Sequence, residues 1–339
     1  MLEVIYVVRH GYRSNWTVDP STGHYNSTVP SPTGIVADPA LASYGVQQAQ
    51  QLGKHLSQVH PPVDLIYSSP FYRCIQTLQP FTETQKSSGK NATIHVDRGV
   101  GEFYGQARFD HPSPATISVL NEHFENLVEA EKSIIPSKNG ESIPQLHDRI
   151  AYALSSIISR ADSDQNEPKT LLICTHAAAM IAIGRALTGK MPENEGEEDF
   201  NCFTCSFSKF VRKPQSKFTG GGFRGQIAEG WDEKKADEVP DLGWRGAGVG
   251  GGWDCEVNGD CSFLSGGAER GWHFTGDEGF LNYEFTGVGT DGIEAGSEIA
   301  AADASVTTTT AAPPEVDYGS ESLRVHWSDR VRKSGTTRL

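Results

Sequence analysis

Three short apolar runs in this chain end in the same way, and that recurrence limits what the chain can fold into. Val4 to Val8 is apolar and rich in β-branched residues, and it stops at Arg9-His10-Gly11. Asp64-Leu65-Ile66-Tyr67-Ser68-Ser69-Pro70 leads into Phe71-Tyr72-Arg73-Cys74, and Leu171-Leu172-Ile173-Cys174-Thr175 leads into His176 and a helical run from Ala177 to Leu187. Continuous apolar runs of this length read as strands buried on both faces. Strands interleaved with helical stretches predict an α/β fold, a mostly parallel central sheet with helices on both faces. In such sheets ligands bind beyond the carboxyl ends of the strands. Arg9, His10, Arg73 and His176 are therefore expected to converge on one pocket, with Gly11 letting the chain turn sharply. Two imidazoles among arginines at helix N-termini make an anion site, and an arginine fork fits two phosphate oxygens at once.

Those residues carry a resemblance. Arg9-His10-Gly11, Ser69-Pro70-Phe71-Tyr72-Arg73 and Thr175-His176 resemble the histidine phosphatase, or phosphoglycerate-mutase-like, superfamily. Leu41 to Ala49, Gly101-Glu102-Phe103 and Gly140-Glu141-Ser142 support it, and the likeness covers roughly residues 1–213. It implies a phosphoglycerate-mutase-like fold and hydrolysis of a phosphomonoester without a metal or other cofactor. His10 would attack phosphorus and become phosphohistidine. Arg9, Arg13, Arg73 and His176 would hold the phosphoryl oxygens, with His176 counted among the catalytic residues. Glu102 would protonate the leaving oxygen and then activate water. Its place in a glycine-flanked loop beside aromatics predicts a raised carboxyl pKa through desolvation; Asp97 and Glu141 are rivals for the role.

Departures narrow the branch. Tyr12 stands where mutases and many small-molecule members carry Glu, which lowers a mutase reading. Arg13 occurs in acid phosphatases, but those carry His-Asp where this chain has His176-Ala177, and they are secreted and disulfide-bonded. Arginine at this place also resembles the protein-tyrosine-directed members, so phosphotyrosine is a candidate substrate. Arg9 to Trp16, Ser69 to Cys74 and Thr175 to Ala178 further resemble the phosphatase-like small tau subunits of fungal transcription factor IIIC. That likeness implies a nuclear protein bound to a partner subunit of the RNA polymerase III machinery. The alternative function is then a non-catalytic scaffold that keeps the pocket.

Composition agrees with contact to DNA through partners. The formal net charge is −14 over 339 residues, which disfavours direct binding of nucleic acid or of an anionic membrane. No apolar run reaches membrane-spanning length, and no secretory leader is apparent, so a nuclear or cytoplasmic, non-secreted location is expected. The six cysteines suit reduced thiols, Cys202 and Cys205 read as ordinary strand thiols, and no metal-ligand spacing occurs. Glycosylation sequons begin at Asn15, Asn26 and Asn91, but they mean nothing without secretion. Gly184 to Met191 nearly spells a phosphate-binding loop, but Met191 replaces the hydroxyl and the segment lies in and after a helix.

Two regions are expected. Residues 1–213 form the phosphatase-like domain. Residues 214–339 form a Gly-rich, acidic tail, largely disordered, with a small hairpin near 253–264 at Asn258-Gly259. Within the first region, 17–40 reads as an irregular loop beside the site, 113–135 and 142–160 as helices, and Pro80 as a kink or stop in the helix from 71 to 85. The acidic run at 192–200 reads as a solvated turn. Val325-His326-Trp327 is a short apolar patch in the tail.

Overall fold

The computed structural model describes residues 1–214, 231–232, 238–276 and 278–281. Its centre is β1 (Val4–Arg9), which lies parallel to β7 (Thr170–Thr175) and antiparallel to β8 (Phe207–Arg212). β4 (Leu65–Ser68), β5 (Ile94–Val96) and β6 (Leu127–Glu129) continue the parallel part, and β9 (Trp253–Asp260) closes the other edge. The seven-stranded order is β6-β5-β4-β7-β1-β8-β9. This is the mostly parallel, helix-flanked α/β fold that the apolar runs predict.

The pleat divides the core. Ile5, Val7, Leu171 and Ile173 pack with α4 (Ile143–Ser163) and α5 (Ala177–Thr188). Tyr6, Val8, Leu172 and Cys174 point the other way, to α1 (Ser43–Leu56) and α2 (Tyr72–Ser87). Both faces of β1 and β7 are thus covered, which is why their sequences do not alternate. α4 starts where Ser142 and Gln145 form a reciprocal capping box with Pro144 in the first turn.

Three local expectations give way. Residues 113–135 make one helical turn, α3 (Ile117–Leu120), and then the edge strand β6. Asn126 takes a left-handed φ of 61°, which ends helical geometry, and Leu127 pairs with Ile94. α2 runs unbroken through Pro80, which packs against Gly53 of α1; a Cβ on that glycine would sit 2.9 Å from the Pro80 Cβ. Part of 17–40 is ordered as a hairpin of β2 (Trp16–Asp19) and β3 (His24–Ser27). The acidic loop is a turn with Glu193, Glu197 and Glu198 exposed, as expected, and the buried Arg185 guanidinium anchors it through the Asp199 carboxylate at 2.9 Å and the carbonyls of Glu195 and Glu197.

The chain after residue 213 also differs from expectation. Trp253–Asp260 forms no hairpin of its own but adds to the main sheet beside β8. Trp244, Trp253 and Phe274, almost fully buried, join the same core as α4 and α5. Three large aromatics bury enough apolar surface to hold a glycine-rich segment. Val325-His326-Trp327 lies outside the described residues.

Candidate active site

The carboxyl ends of β1, β4 and β7 bring together the residues singled out in the sequence. His10 follows β1, Ser69 follows β4, and His176 is the N-cap of α5. The His10 and His176 rings lie 5.2 Å apart, edge to face. Gly11 earns its place through space rather than a left-handed turn: a Cβ there would sit 2.8 Å from the Gly45 carbonyl and 3.2 Å from the Cys205 sulfur.

His10 Nδ1 lies 2.8 Å from the Gly11 carbonyl oxygen. A carbonyl can only accept, so Nδ1 carries the proton and Nε2 carries the lone pair. Burial, with Arg73, His176, Arg9 and Arg13 around it, holds the His10 pKa well below the ordinary imidazole value. His10 is therefore neutral at physiological pH. His176 is pushed the other way. Burial works to lower it, but the Cys74 sulfur and the Glu102 carboxylate raise it above the ordinary value. Its Nε2 is 2.7 Å from Ser69 Oγ, and its Nδ1 is 3.0 Å from Glu102 Oε2.

Arg73 ties the cluster together. It is fully buried, with Nη2 2.7 Å from Glu102 Oε2 and 3.3 Å from His176 Nδ1. Its Nη1 donates to the Ala37 carbonyl and to Asp38 Oδ1. Glu102 corrects the expectation of a raised carboxyl pKa. Burial does work to raise it, but His176 and Arg73 outweigh burial and hold it well below the usual carboxylate range. Glu102 is ionised in the free site.

The other predicted residues divide. Arg13 is half-buried, donates to the Ser14 carbonyl and stacks over Trp16; burial and Arg73 lower its pKa to about 10, so it remains a cation. Arg9 spends part of its fork on the chain, since Nη1 donates to the carbonyls of Cys202 (2.7 Å) and Arg270 (2.6 Å). The rivals for Glu102 have structural roles. Glu141 is bound at 2.7 and 3.0 Å by Arg149 Nε, and Asp97 caps the turn at Arg98–Val100 and pairs with Arg160. All six cysteines are free.

His10, Glu102 and His176 place ligand atoms within 4.8 Å of one another, a set able to hold a metal ion. Local pattern does not show this cluster, because its members lie on three separate segments. The Arg73 guanidinium against two of the three opposes a dication there and suits an anion instead.

Sequence reasoning missed the supports. Asp38 accepts from the Tyr72 amide and from Arg73; burial, against the pull of Arg73, pushes its carboxyl up to about 6. Thr77 Oγ1 accepts from the Gly11 amide and donates to the Arg73 carbonyl, linking the Gly11 turn to the first turn of α2. Gln48 Oε1 accepts from the Tyr12 amide. A glutamine buried among Gly45, Ala49 and Leu52 on the inner face of α1 is the signal that was available. The chain after β9 also returns to the site. Tyr44 Oη donates to Glu269 at 2.6 Å, the Arg270 guanidinium lies 4.2 Å from the Tyr12 ring centre, and Phe280 N donates to the Gln106 carbonyl.

A family model, the histidine phosphatase superfamily (branch 1), matches residues 5–219, which span all of these site residues except those returning after β9. The chain belongs to the histidine phosphatase superfamily. Among curated relatives, the transcription factor tau 55 kDa subunit of Saccharomyces cerevisiae is 30% identical over 282 residues, covering 81% of this chain and 59% of that protein. The ecdysteroid-phosphate phosphatase of Drosophila melanogaster is 27% identical over 216 residues, covering 57% of this chain and 28% of that protein. The chain therefore spans less than two thirds of either relative's length. Among solved structures, the Bombix mori ecdysone phosphate phosphatase in complex with tungstate aligns with a TM-score of 0.47 and 18% identity, over 62% of this chain and 92% of that one. No helix among the described residues is long and apolar enough to cross a membrane.

For a phosphatase that used His10 as nucleophile and His176 as cation, the opposite shifts of the two histidines would set the pH profile. A base with a lowered pKa is lost only as pH falls through that lowered value, so the acid limb from His10 lies below 6.5. A cation with a raised pKa is lost only as pH rises through the raised value, so the alkaline limb from His176 lies above 6.5. A plot of kcat/KM against pH for p-nitrophenyl phosphate should have its plateau across 6.5. An inflection at 6.5 itself would contradict the assignment.

Proposed function

We propose that this protein hydrolyses phosphomonoesters without a metal, through phosphohistidine at His10. The observation that carries this reading is a His10 ring oriented by the Gly11 carbonyl and lying 5.2 Å from the His176 ring, with the buried Arg73 guanidinium beside it. Arg13, Arg73 and His176 hold the phosphoryl oxygens and oppose the charge that develops on them, with Arg9 adding charge while bracing the loop. His10 Nε2 attacks phosphorus in line.

Glu102 is an anion in the free site, and substrate entry changes that. A phosphate dianion draws Arg73 and His176 away from pairing with Glu102 and adds negative charge nearby. Both effects raise the carboxyl pKa, so binding prepares the acid that protonates the leaving oxygen. Glu102→Gln should then lower kcat by about 10²-fold for an alkyl phosphate and far less for p-nitrophenyl phosphate, whose leaving group needs little protonation. Equal losses on both substrates would remove Glu102 from that role.

Phosphotyrosine is the substrate we favour, since half-buried Tyr12 and Tyr104 adjoin the site residues in the chain. The reading as a whole is tested by rapid quenching with radiolabelled substrate in EDTA. An acid-labile, base-stable phosphoenzyme is expected, and a folded protein that forms none would overturn it.

The likeness to the yeast tau subunit supports a second proposal, that the protein works in the nucleus within a transcription factor IIIC-like assembly. In that setting the domain acts as an enzyme, a scaffold or both. Capture of the partner subunit by His10→Ala as well as by wild type would show that assembly does not need turnover.

A further inference from the structure

Tyr104 lies two residues beyond Glu102, and its side chain is positioned with more care than packing requires. Its ring stacks on His111 at 4.7 Å and 10°. His111 is itself held on both ring nitrogens, by Tyr25 Oη at 2.6 Å and the Gly105 carbonyl at 2.9 Å. Trp16 and Tyr25 close the other sides, 6.1 and 6.5 Å away. The Tyr104 carbonyl accepts from the Glu141 amide at 2.8 Å, and Arg149 holds Glu141 in turn. The ring and the carbonyl of this residue are thus held in place.

The hydroxyl oxygen is buried and has no hydrogen-bond partner among the described residues. A buried hydroxyl left unmade costs stability, so native structures rarely keep one without a use. Trp16 links it to the site, its ring lying 6.1 Å from the Tyr104 ring and 5.6 Å from the Arg13 guanidinium, and Glu102 is two residues away in the chain. Burial and the Glu102 carboxylate hold the phenol well above its ordinary pKa, so it is a neutral donor. Beside a bound dianion, a neutral donor on a ring already held by packing gains a charge-assisted bond and loses little side-chain entropy.

We propose that the Tyr104 hydroxyl donates a hydrogen bond to a phosphoryl oxygen of the bound monoester, on the side of the site where Arg13 and Glu102 stand. This rests on the phosphatase reading above and adds a fourth kind of donor to its arginines and imidazole. It also makes the aromatic wall of Trp16, Tyr25 and His111 a support for substrate binding rather than only a packed cluster.

Tyr104→Phe removes the oxygen and keeps the ring, so its stacking survives. Inorganic phosphate is titrated calorimetrically into wild type and variant, and kcat/KM is measured on p-nitrophenyl phosphate. The expected result is phosphate binding weakened about tenfold or more and kcat/KM reduced by a similar factor, with the melting temperature unchanged or raised. A variant that binds phosphate and turns over like an active wild type would overturn the role of Tyr104 and leave the phosphatase reading intact. A wild type that neither binds phosphate nor turns over would sink both. Phosphate binding decides the matter even if the protein proves to be a non-turning scaffold.

Discussion

His10→Ala should lose essentially all phosphatase activity, a fall in kcat of about 10³-fold or more by analogy with the removal of other enzymatic nucleophiles. The size follows from what no neighbour can replace. His176 lies only 5.2 Å away, but its two ring nitrogens are engaged by Ser69 and Glu102 and its pKa is raised, so it is a poor substitute nucleophile. Water attack on the ester would remain assisted by the arginines, which sets the residual rate. The fold should tolerate the change. Removing a neutral imidazole deletes its hydrogen bond to the Gly11 carbonyl and relieves a group crowded by four cations. Steady-state assays on p-nitrophenyl phosphate, read beside thermal melts, check both halves. A variant retaining a tenth of wild-type kcat would mean that the phosphoryl group is not transferred to His10.

The sequence made the sheet and the convergence of His10, Arg73 and His176 legible because both are written in local pattern. Val4 to Val8 and Leu171 to Thr175 lack alternation because helices cover both faces, and each run stops at the polar cluster beyond the sheet. The misread parts depend on partners far along the chain. Leu127 looks like the end of an apolar helical stripe until Ile94 is beside it as a strand neighbour. Trp253 to Asp260 looks like a hairpin because Asn258-Gly259 suits a tight turn, yet the unpaired edge of β8 is available and takes the strand instead. Glu102 was read from its loop alone, where desolvation is visible; the two cations that reverse the shift come from α2 and the start of α5. Asp38, Thr77 and Gln48 went unseen for the same reason, since a supporting hydrogen bond leaves no periodic trace.

Arg73→Ala should damage both activity and stability, because one guanidinium serves both. For activity, the loss of a preorganised donor at the transition state predicts a fall of about 10²–10³-fold in kcat/KM. For stability, Arg73 is the partner of two carboxylates, Asp38 and Glu102, and Asp38 is wholly buried. Removing one member of a buried ion pair typically costs about 3–5 kcal/mol, most of it from the charge left behind. The deficit should depend on pH, with a definite sign. Asp38 is already pushed up to about 6 with Arg73 present, and without it the folded-state pKa moves higher still. Between the unfolded and folded values the folded protein holds a proton that the unfolded chain has lost. Folding therefore takes up protons, and the variant loses stability as pH rises from the unfolded carboxyl pKa through the raised one. The gap in melting temperature between Arg73→Ala and wild type should be smallest near pH 5, where only the loss of the Glu102 pair remains, and should widen towards pH 8 as Asp38 ionises. Arg73→Lys keeps the charge but not the fork, so it should recover most of the stability at pH 8 and only part of the activity. A separation that stays constant with pH would show that packing, rather than the stranded carboxylates, sets the cost of losing Arg73.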